Sequence, residues 1–482
     1  MLKRVVLSAL IAAASAITGC GEATPEASYP GDLWSFEGAG PRPAAMWVTE
    51  ARTPAREAST RWLSGAPAQG AVLQGASEPL HVAVWIETPA STRAAARAPV
   101  ALSLVIDSSG SMAGDKILNA QRAAASLIES LATGDIVSIY AFSDGVTEIA
   151  PPTVIEPGTS SGLIAQTRAI EATGSTNLFD GLRMGEVRAA AAPPSHPVRR
   201  VVVISDGQAN VGPSSPGELG DVAAQGTEAG VQVSAIGVGL DYDERTLGAL
   251  AVRSSGRLYH LQEPSQMTEI VKQELMLLDK TAATAAYLEI TAAPGVEILG
   301  AELVEAQMDR GTLRVGLGTL YAGQRREVLL RVKAPAAEAP RLPLATARLF
   351  YREPADRGGG RFSQSVPIEA RVTTDAAEAS RSENAEVKAM IVRYEAAQAQ
   401  LKAAEMLNEG RSTEAAVVLD QAQQSVQKAA ESTSSAAERS RLQSQASRIG
   451  DTKAEAKKAT TKAQSRASAL KSYSYAFDDA GY

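Results

Sequence analysis

Two carboxylates and three hydroxyls stand at spacings that bring them to one place. Asp107-Ser108-Ser109-Gly110-Ser111-Met112 sets an aspartate and two serines on alternating positions directly after Val100–Ile106, a run apolar enough for a buried strand. Thr173-Gly174-Ser175-Thr176-Asn177-Leu178 offers a threonine in a glycine-containing loop ahead of a helix. A second β-branched run, Arg200–Ile204, ends in Ser205-Asp206-Gly207. In an open α/β sheet, ligands bind outside the carboxyl ends of strands, so Asp107, Ser109, Ser111, Thr176 and Asp206 are expected at a single edge. An oxygen-only set of low total charge suits Mg²⁺, with Ca²⁺ and Mn²⁺ as alternatives. With few anionic ligands the cation stays electron-poor and should recruit a carboxylate from outside. Capping is the competing reading, because Asp, Ser and Thr favour helix N-caps. It would account for Ser111 and Thr176 but leaves Asp107 and Asp206 at strand ends unexplained.

The elements that must hold these residues alternate between strand and helix. After Val100–Ile106, the residues Ile117, Ala120, Ala124, Leu127, Ile128 and Leu131 recur at helical spacing. Ile136–Phe142 reads as strand, Arg200–Ile204 as strand preceded by helix, and Val231–Val238 as strand. A helix from about Glu244 and a short strand Arg257–Leu261 follow. The pattern predicts an α/β fold, a doubly wound, mostly parallel sheet covered on both faces, over residues 100–280.

The D-x-S-x-S sequence, the loop threonine and the later aspartate together resemble the metal-ion-dependent adhesion site of von Willebrand factor type A (VWA) domains, found in integrin inserted domains and many bacterial proteins. Phe142-Ser143-Asp144, Ser205-Asp206-Gly207-Gln208-Ala209-Asn210 and Ser234-Ala235-Ile236-Gly237-Val238-Gly239 add to the resemblance. It implies a Rossmann-like sheet. It also implies that Ser109, Ser111 and Thr176 coordinate directly while Asp107 and Asp206 often act through water.

Composition narrows the chemistry. The 482 residues carry 47 Lys and Arg against 54 Asp and Glu, a formal charge of −7, and no long basic run, which speaks against nucleic-acid binding. Three histidines and one cysteine exclude a zinc finger, an HExxH protease and a disulfide framework. Gly237-x-Gly239 lacks the third glycine of a dinucleotide fingerprint. Asp241, Asp243 and Glu244 read as the cap of the next helix, and His260 as an ordinary strand residue. Ser205 has no histidine base within reach by sequence. Nothing specifies a small-molecule substrate, and the expectation is a protein that is not an enzyme.

Residues 1–19 have the layout of an export signal. Lys3 and Arg4 precede an uncharged, mostly apolar stretch from Val5 to Ala16, shorter than the roughly 20 residues that span a bilayer. Ile17-Thr18-Gly19-Cys20 resembles the lipobox of bacterial lipoproteins, and Cys20 is the chain's one cysteine. Lipidation at Cys20, including palmitate, would make lipid the only membrane attachment. With Gly21 in the next position, a Gram-negative host would sort the protein to its outer membrane. Residues 20–40 read as a tether.

The strand His81–Glu87 has no place in the parallel sheet, so residues 41–99 are expected to supply strands to a later β-sandwich at 284–374. There Ala286–Thr291, Val296–Leu303, Thr312–Gly316, Arg326–Lys333, Ala345–Arg352 and Phe362–Val372 alternate apolar and polar residues. Residues 376–470 read as helical: one helix broken near Gly410, a second from about Ser412, and a third between about Ala436 and Leu470. Residues 471–482 read as a disordered tail. The combined expectation is a lipid-anchored envelope module that captures an Asp or Glu of a protein partner through a divalent cation. The alternative is a scaffold acting through its helical region, with the metal site structural.

Overall fold

The computed structural model describes residues 56–479 apart from 59, 77, 91–97, 262–265, 267–269, 271–272, 275–279, 304–305, 336–339 and 354–359. The signal, Cys20 and the tether lie outside the described residues.

The chain begins with strands that belong to a sandwich: β1 (Arg56–Glu57), β2 (Leu63–Pro67), β3 (Ala71–Leu73) and β4 (Leu80–Glu87). It then builds an α/β unit of β5 (Val100–Asp107), α1 (Asp115–Ser130), β6 (Ile136–Phe142), β7 (Val146–Val154), α2 (Thr159–Arg168), α3 (Leu178–Ala190), β8 (Val198–Ser205), α4 (Pro216–Glu228), β9 (Val231–Val238), α5 (Glu244–Arg253) and β10 (Leu258–Leu261). Its six strands run in the order β10-β9-β8-β5-β6-β7, parallel except for the β6–β7 hairpin. All eight residues of β5 are buried. Leu104 and Ile106 pack with Ile117, Ala124 and Ile128 of α1 on one face, while Val105 packs with Leu182, Leu219 and Leu247 on the other. A strand covered on both faces needs a near-continuous apolar run, which β5 has apart from Ser103. The chain moves outward from β5 to β6 and then returns to its other side with β8, so the end of β5 is the topological switch point of the sheet.

β7 has no counterpart in the sequence reading. Its Pro151-Pro152 pair argues against a strand, but a sheet edge tolerates residues that cannot donate to the ladder, and most of β7 is exposed or half-buried.

The sandwich resumes with β11 (Thr281–Ala292), β12 (Glu297–Ala301), β13 (Gln307–Asp309), β14 (Thr312–Tyr321), β15 (Arg325–Lys333), β16 (Arg341–Arg352) and β17 (Arg361–Thr373). One sheet is ordered β12-β15-β4-β2 and the other β1-β17-β16-β11-β14-β13, with β3 on β17. β4 pairs antiparallel with β15, from Leu80 opposite Val332 to Glu87 opposite Arg325. The α/β unit is thus inserted between two strands of the sandwich. β11 starts earlier than residue 284, because Thr281 and Ala283 already pair with Tyr321 and Leu320. Arg200 of β8 is fully buried and donates to the Tyr321 hydroxyl at 2.7 Å, tying the two sheets' domains together.

The remaining helices are α6 (Ala376–Arg381), α7 (Ala385–Asn408), α8 (Ser412–Ser432), α9 (Ala436–Lys458) and α10 (Lys462–Asp479). Gly410, at φ 78°, makes the left-handed turn between α7 and α8. The single helix expected between Ala436 and Leu470 is two, and the tail expected to be disordered is helical to Asp479. Thr461 starts the new helix with a capping box: the Gln464 N–H donates to Thr461 Oγ1, and the Thr461 N–H donates to Gln464 Oε1, both at 3.2 Å. The tail is ordered because it is covered. Ser472 and Ala476 are buried, Leu470 joins the α/β core, and the Tyr473 hydroxyl lies over Gly248, where a side chain would collide with it.

Candidate metal centre

Three loops meet at the carboxyl edge of β5 and β8, and the backbone ties each to the next. The Gly110 N–H donates to the Gly174 carbonyl at 3.0 Å and the Thr173 N–H to the Ser108 carbonyl at 2.7 Å, joining the first loop to the threonine loop. Gly174, at φ 78°, leaves room for Asp144, whose Oδ2 would lie 2.6 Å from any Cβ there. Asp144 in turn accepts from the Ser175 N–H at 2.9 Å. The threonine loop is fixed to the third loop by Asn210. Its Oδ1 accepts from the Thr176 N–H at 2.8 Å, and its N–H donates to the Thr176 carbonyl at 3.0 Å.

Within this frame Asp107, Ser109, Thr176 and Asp206 are buried, and Ser111 is exposed at the mouth. The hydroxyls of Ser109 and Ser111 are 3.0 Å apart. Asp107 Oδ1 accepts from the Ser109 N–H at 2.8 Å, and Oδ2 accepts from the Ser205 hydroxyl at 2.5 Å. Burial pushes the Asp107 carboxyl up to about 6; these hydrogen bonds oppose the shift, and the neighbouring Asp206 charge adds to it. Asp206 receives the Lys116 ammonium on Oδ2 at 2.9 Å, and its carbonyl accepts from the Asp243 N–H at 2.7 Å.

The segment carrying Asp243 is held from outside the α/β unit. Arg466 of α10 donates to the carbonyls of Leu240 and Tyr242 and pairs with Glu244, which also accepts from Asn408 of α7 at 2.8 Å. Asp243 caps α5 through the N–H groups of Arg245 and Thr246.

Sequence reading missed Ser205, Lys116 and the positioning role of Asn210. Ser205 and Asn210 stand in the quoted Ser205–Asn210 motif, so only their contacts were hidden. Lys116 lies five residues beyond Ser111 at the start of a helix, where a lysine reads as a solvent-facing residue. Ser205 spends its hydroxyl on Asp107 and accepts from the Gly207 N–H at 2.7 Å, an arrangement for orienting a carboxylate rather than for nucleophilic attack.

Among the described residues no three His, Cys, Asp or Glu side chains form a metal site. A cation at this edge would therefore depend on hydroxyls. The residues fit one: two buried carboxylates face a cluster of hydroxyl oxygens, and the Lys116 ammonium occupies Asp206 as a stand-in cation.

Residues 102–273 match the von Willebrand factor type A domain. The chain carries a VWA domain. An uncharacterized Synechocystis protein is 25% identical to it over 290 residues, which cover 58% of this chain and 67% of that one. Inter-alpha-trypsin inhibitor heavy chain H3 of Mesocricetus auratus is 27% identical over 173 residues, covering 35% of this chain and 20% of the heavy chain. The chain thus spans about a fifth of that relative's length. A solved von Willebrand factor type A structure from Catenulispora acidiphila superposes with TM-score 0.65 at 16% identity, covering 83% of this chain and 90% of that one. The likeness in fold reaches well beyond the VWA domain into the sandwich and helices. VWA domains commonly bind a divalent metal at this edge and mediate protein–protein contacts.

Proposed function

We propose that this protein is a lipid-anchored cell-envelope module that captures an acidic side chain of a protein partner through a divalent cation, Mg²⁺ first. Ser109, Ser111 and Thr176 would hold the cation, with Asp107 and Asp206 placed directly or through water, and the cation would supply an electrophile for a carboxylate oxygen. The observation that carries this reading is the meeting of two buried carboxylates with the Ser109–Ser111 hydroxyl pair at one sheet edge, with one partly exposed lysine paired to Asp206. The protein's own residues orient the site: Ser205 and the Ser109 backbone fix Asp107, and Asn210 fixes the threonine loop. The two carboxylates at the edge are engaged, Asp107 by the Ser109 N–H and the Ser205 hydroxyl and Asp206 by Lys116, which supports binding over activation of water.

The anchor is Cys20, and the place is the bacterial envelope, at the outer membrane in a Gram-negative host. Membrane attachment is through lipid alone. Among the described residues no helix is long and apolar enough to cross a membrane. Several acyl chains at about 0.8 kcal/mol per buried methylene suffice for stable attachment where one does not.

Isothermal titration of the purified chain with MgCl₂ tests the site, with Asp107→Ala as the comparison. Wild type should take up one cation and the variant none. Capture of a partner from detergent-solubilised membranes should then need Mg²⁺, fail in chelator and fail with Asp107→Ala. Capture that survives all three would move the function to the sandwich or helices. Cys20→Ser should abolish acyl labelling; a processed, labelled variant would remove the anchor.

A further inference from the structure

Lys116 is the second residue of α1, the helix that follows the metal loop, and its ammonium turns back to Asp206 at 2.9 Å. The Asp206 side chain is wholly buried and that of Lys116 is 24% exposed. The stem has little freedom on its inner side: Gly239, at φ 87°, passes beneath it so closely that a Cβ there would lie 3.1 Å from Lys116 Cε. Among the described residues, Lys116 is the one cation joined to either aspartate by an ion pair. Asp107 has both oxygens taken by neutral donors, the Ser109 N–H and the Ser205 hydroxyl.

We propose that Lys116 is a specificity residue of this site, acting on cation and partner in opposite directions. Without metal its ammonium cancels the Asp206 charge, which otherwise faces Asp107 across a dry edge. A cation must enter against that positive charge and take Asp206 from it, so Lys116 weakens metal binding. Once a divalent cation is in place, two carboxylates, one ammonium and the ion sum to a net positive site, whereas without the ammonium they sum to zero. The retained charge makes the loaded edge a receptor for an anionic oxygen and a poor one for a neutral hydroxyl or amide. A unit charge at near contact in a partly screened setting is large enough to move binding by about tenfold.

This inference rests on the reading of the edge as a cation site, and the test separates the two. The full chain is titrated with MgCl₂, and with MnCl₂, as wild type, Lys116→Met and Lys116→Arg. Lys116→Met should bind Mg²⁺ about tenfold more tightly and Lys116→Arg close to wild type. In chelator, Lys116→Met should melt a few degrees below wild type, and saturating Mg²⁺ should close that gap. Lys116→Gln replaces Lys116→Met if the latter does not fold. Unchanged or weaker Mg²⁺ binding in the uncharged variants, with wild type binding normally and Asp107→Ala not binding, would overturn the role of Lys116 and leave the cation site standing. Absence of Mg²⁺ uptake by wild type would overturn both.

Discussion

Glu327 on β15 accepts from three guanidiniums: Arg325 at 2.6 Å, Arg393 of α7 at 2.5 Å and Arg441 of α9 at 3.0 Å. Asp107 and Asp206 are at least as well buried, but among the described residues a single lysine pairs with Asp206 and Asp107 has only neutral donors. Burial alone would raise the carboxyls of both Glu327 and Asp107. At Glu327 the charges of Arg393 and Arg325 overcome it and hold the group below the ordinary range, whereas Asp107 is pushed up to about 6. The first centre is saturated with positive charge and pins the helices to the sandwich. The second is short of positive charge, as a site for an outside cation must be. In one molecule, buried carboxylates are structural or ligand-binding according to how much counter-charge surrounds them.

The comparison breaks most visibly at Glu327. Glu327→Ala takes one buried anion from Arg325, Arg393 and Arg441 and leaves Glu438 alone between the last two, and should cost about 3–5 kcal/mol in urea unfolding. The same group sets a pH dependence. Its folded pKa is depressed, so its contribution is complete above the ordinary glutamate value of about 4.3 and is lost as pH falls below it. A wild-type acid limb that matches that of the alanine variant would show that the cluster is not saturated.

Asp107→Ala should act on the ligand instead. Mg²⁺ affinity should fall by about 100-fold or more, equivalent to roughly 2.7 kcal/mol, while circular dichroism and the metal-free melting temperature stay close to wild type. A large loss of metal-free stability would make Asp107 a structural carboxylate like Glu327. Ser109→Ala, which removes one neutral ligand that water can replace, should weaken Mg²⁺ by only about tenfold. Equal effects of the two substitutions in titration would mean that the hydroxyls, not the carboxylates, carry the site.

The smallest effect sharpens the contrast as a control. Thr461→Ala deletes the side-chain cap of α10 and should cost about 1 kcal/mol with no change in Mg²⁺ titration. A shift in metal affinity there would show that α10, through Arg466 and the Asp243 segment, reaches the metal edge more strongly than its hydrogen bonds suggest.

Short-range chemistry was legible in the residue order. Val100–Ile106 is apolar but for Ser103 because β5 is covered on both faces, and Asp107, Ser109 and Ser111 follow it because strand ends are where such a sheet binds ligands. The cap of α5 at Asp243 was equally readable, and Thr461-x-x-Gln464 carries the break between α9 and α10. The folding of residues 471–479 was not legible, since their polar composition gains a cover only when Gln400, Gly248 and Arg448 arrive from elsewhere. Lys116 on Asp206 and the three arginines on Glu327 are likewise tertiary facts. Helical periods and strand alternation report which way a side chain faces, but the partner of a buried charge is chosen by how distant elements pack, and no local spacing encodes that choice.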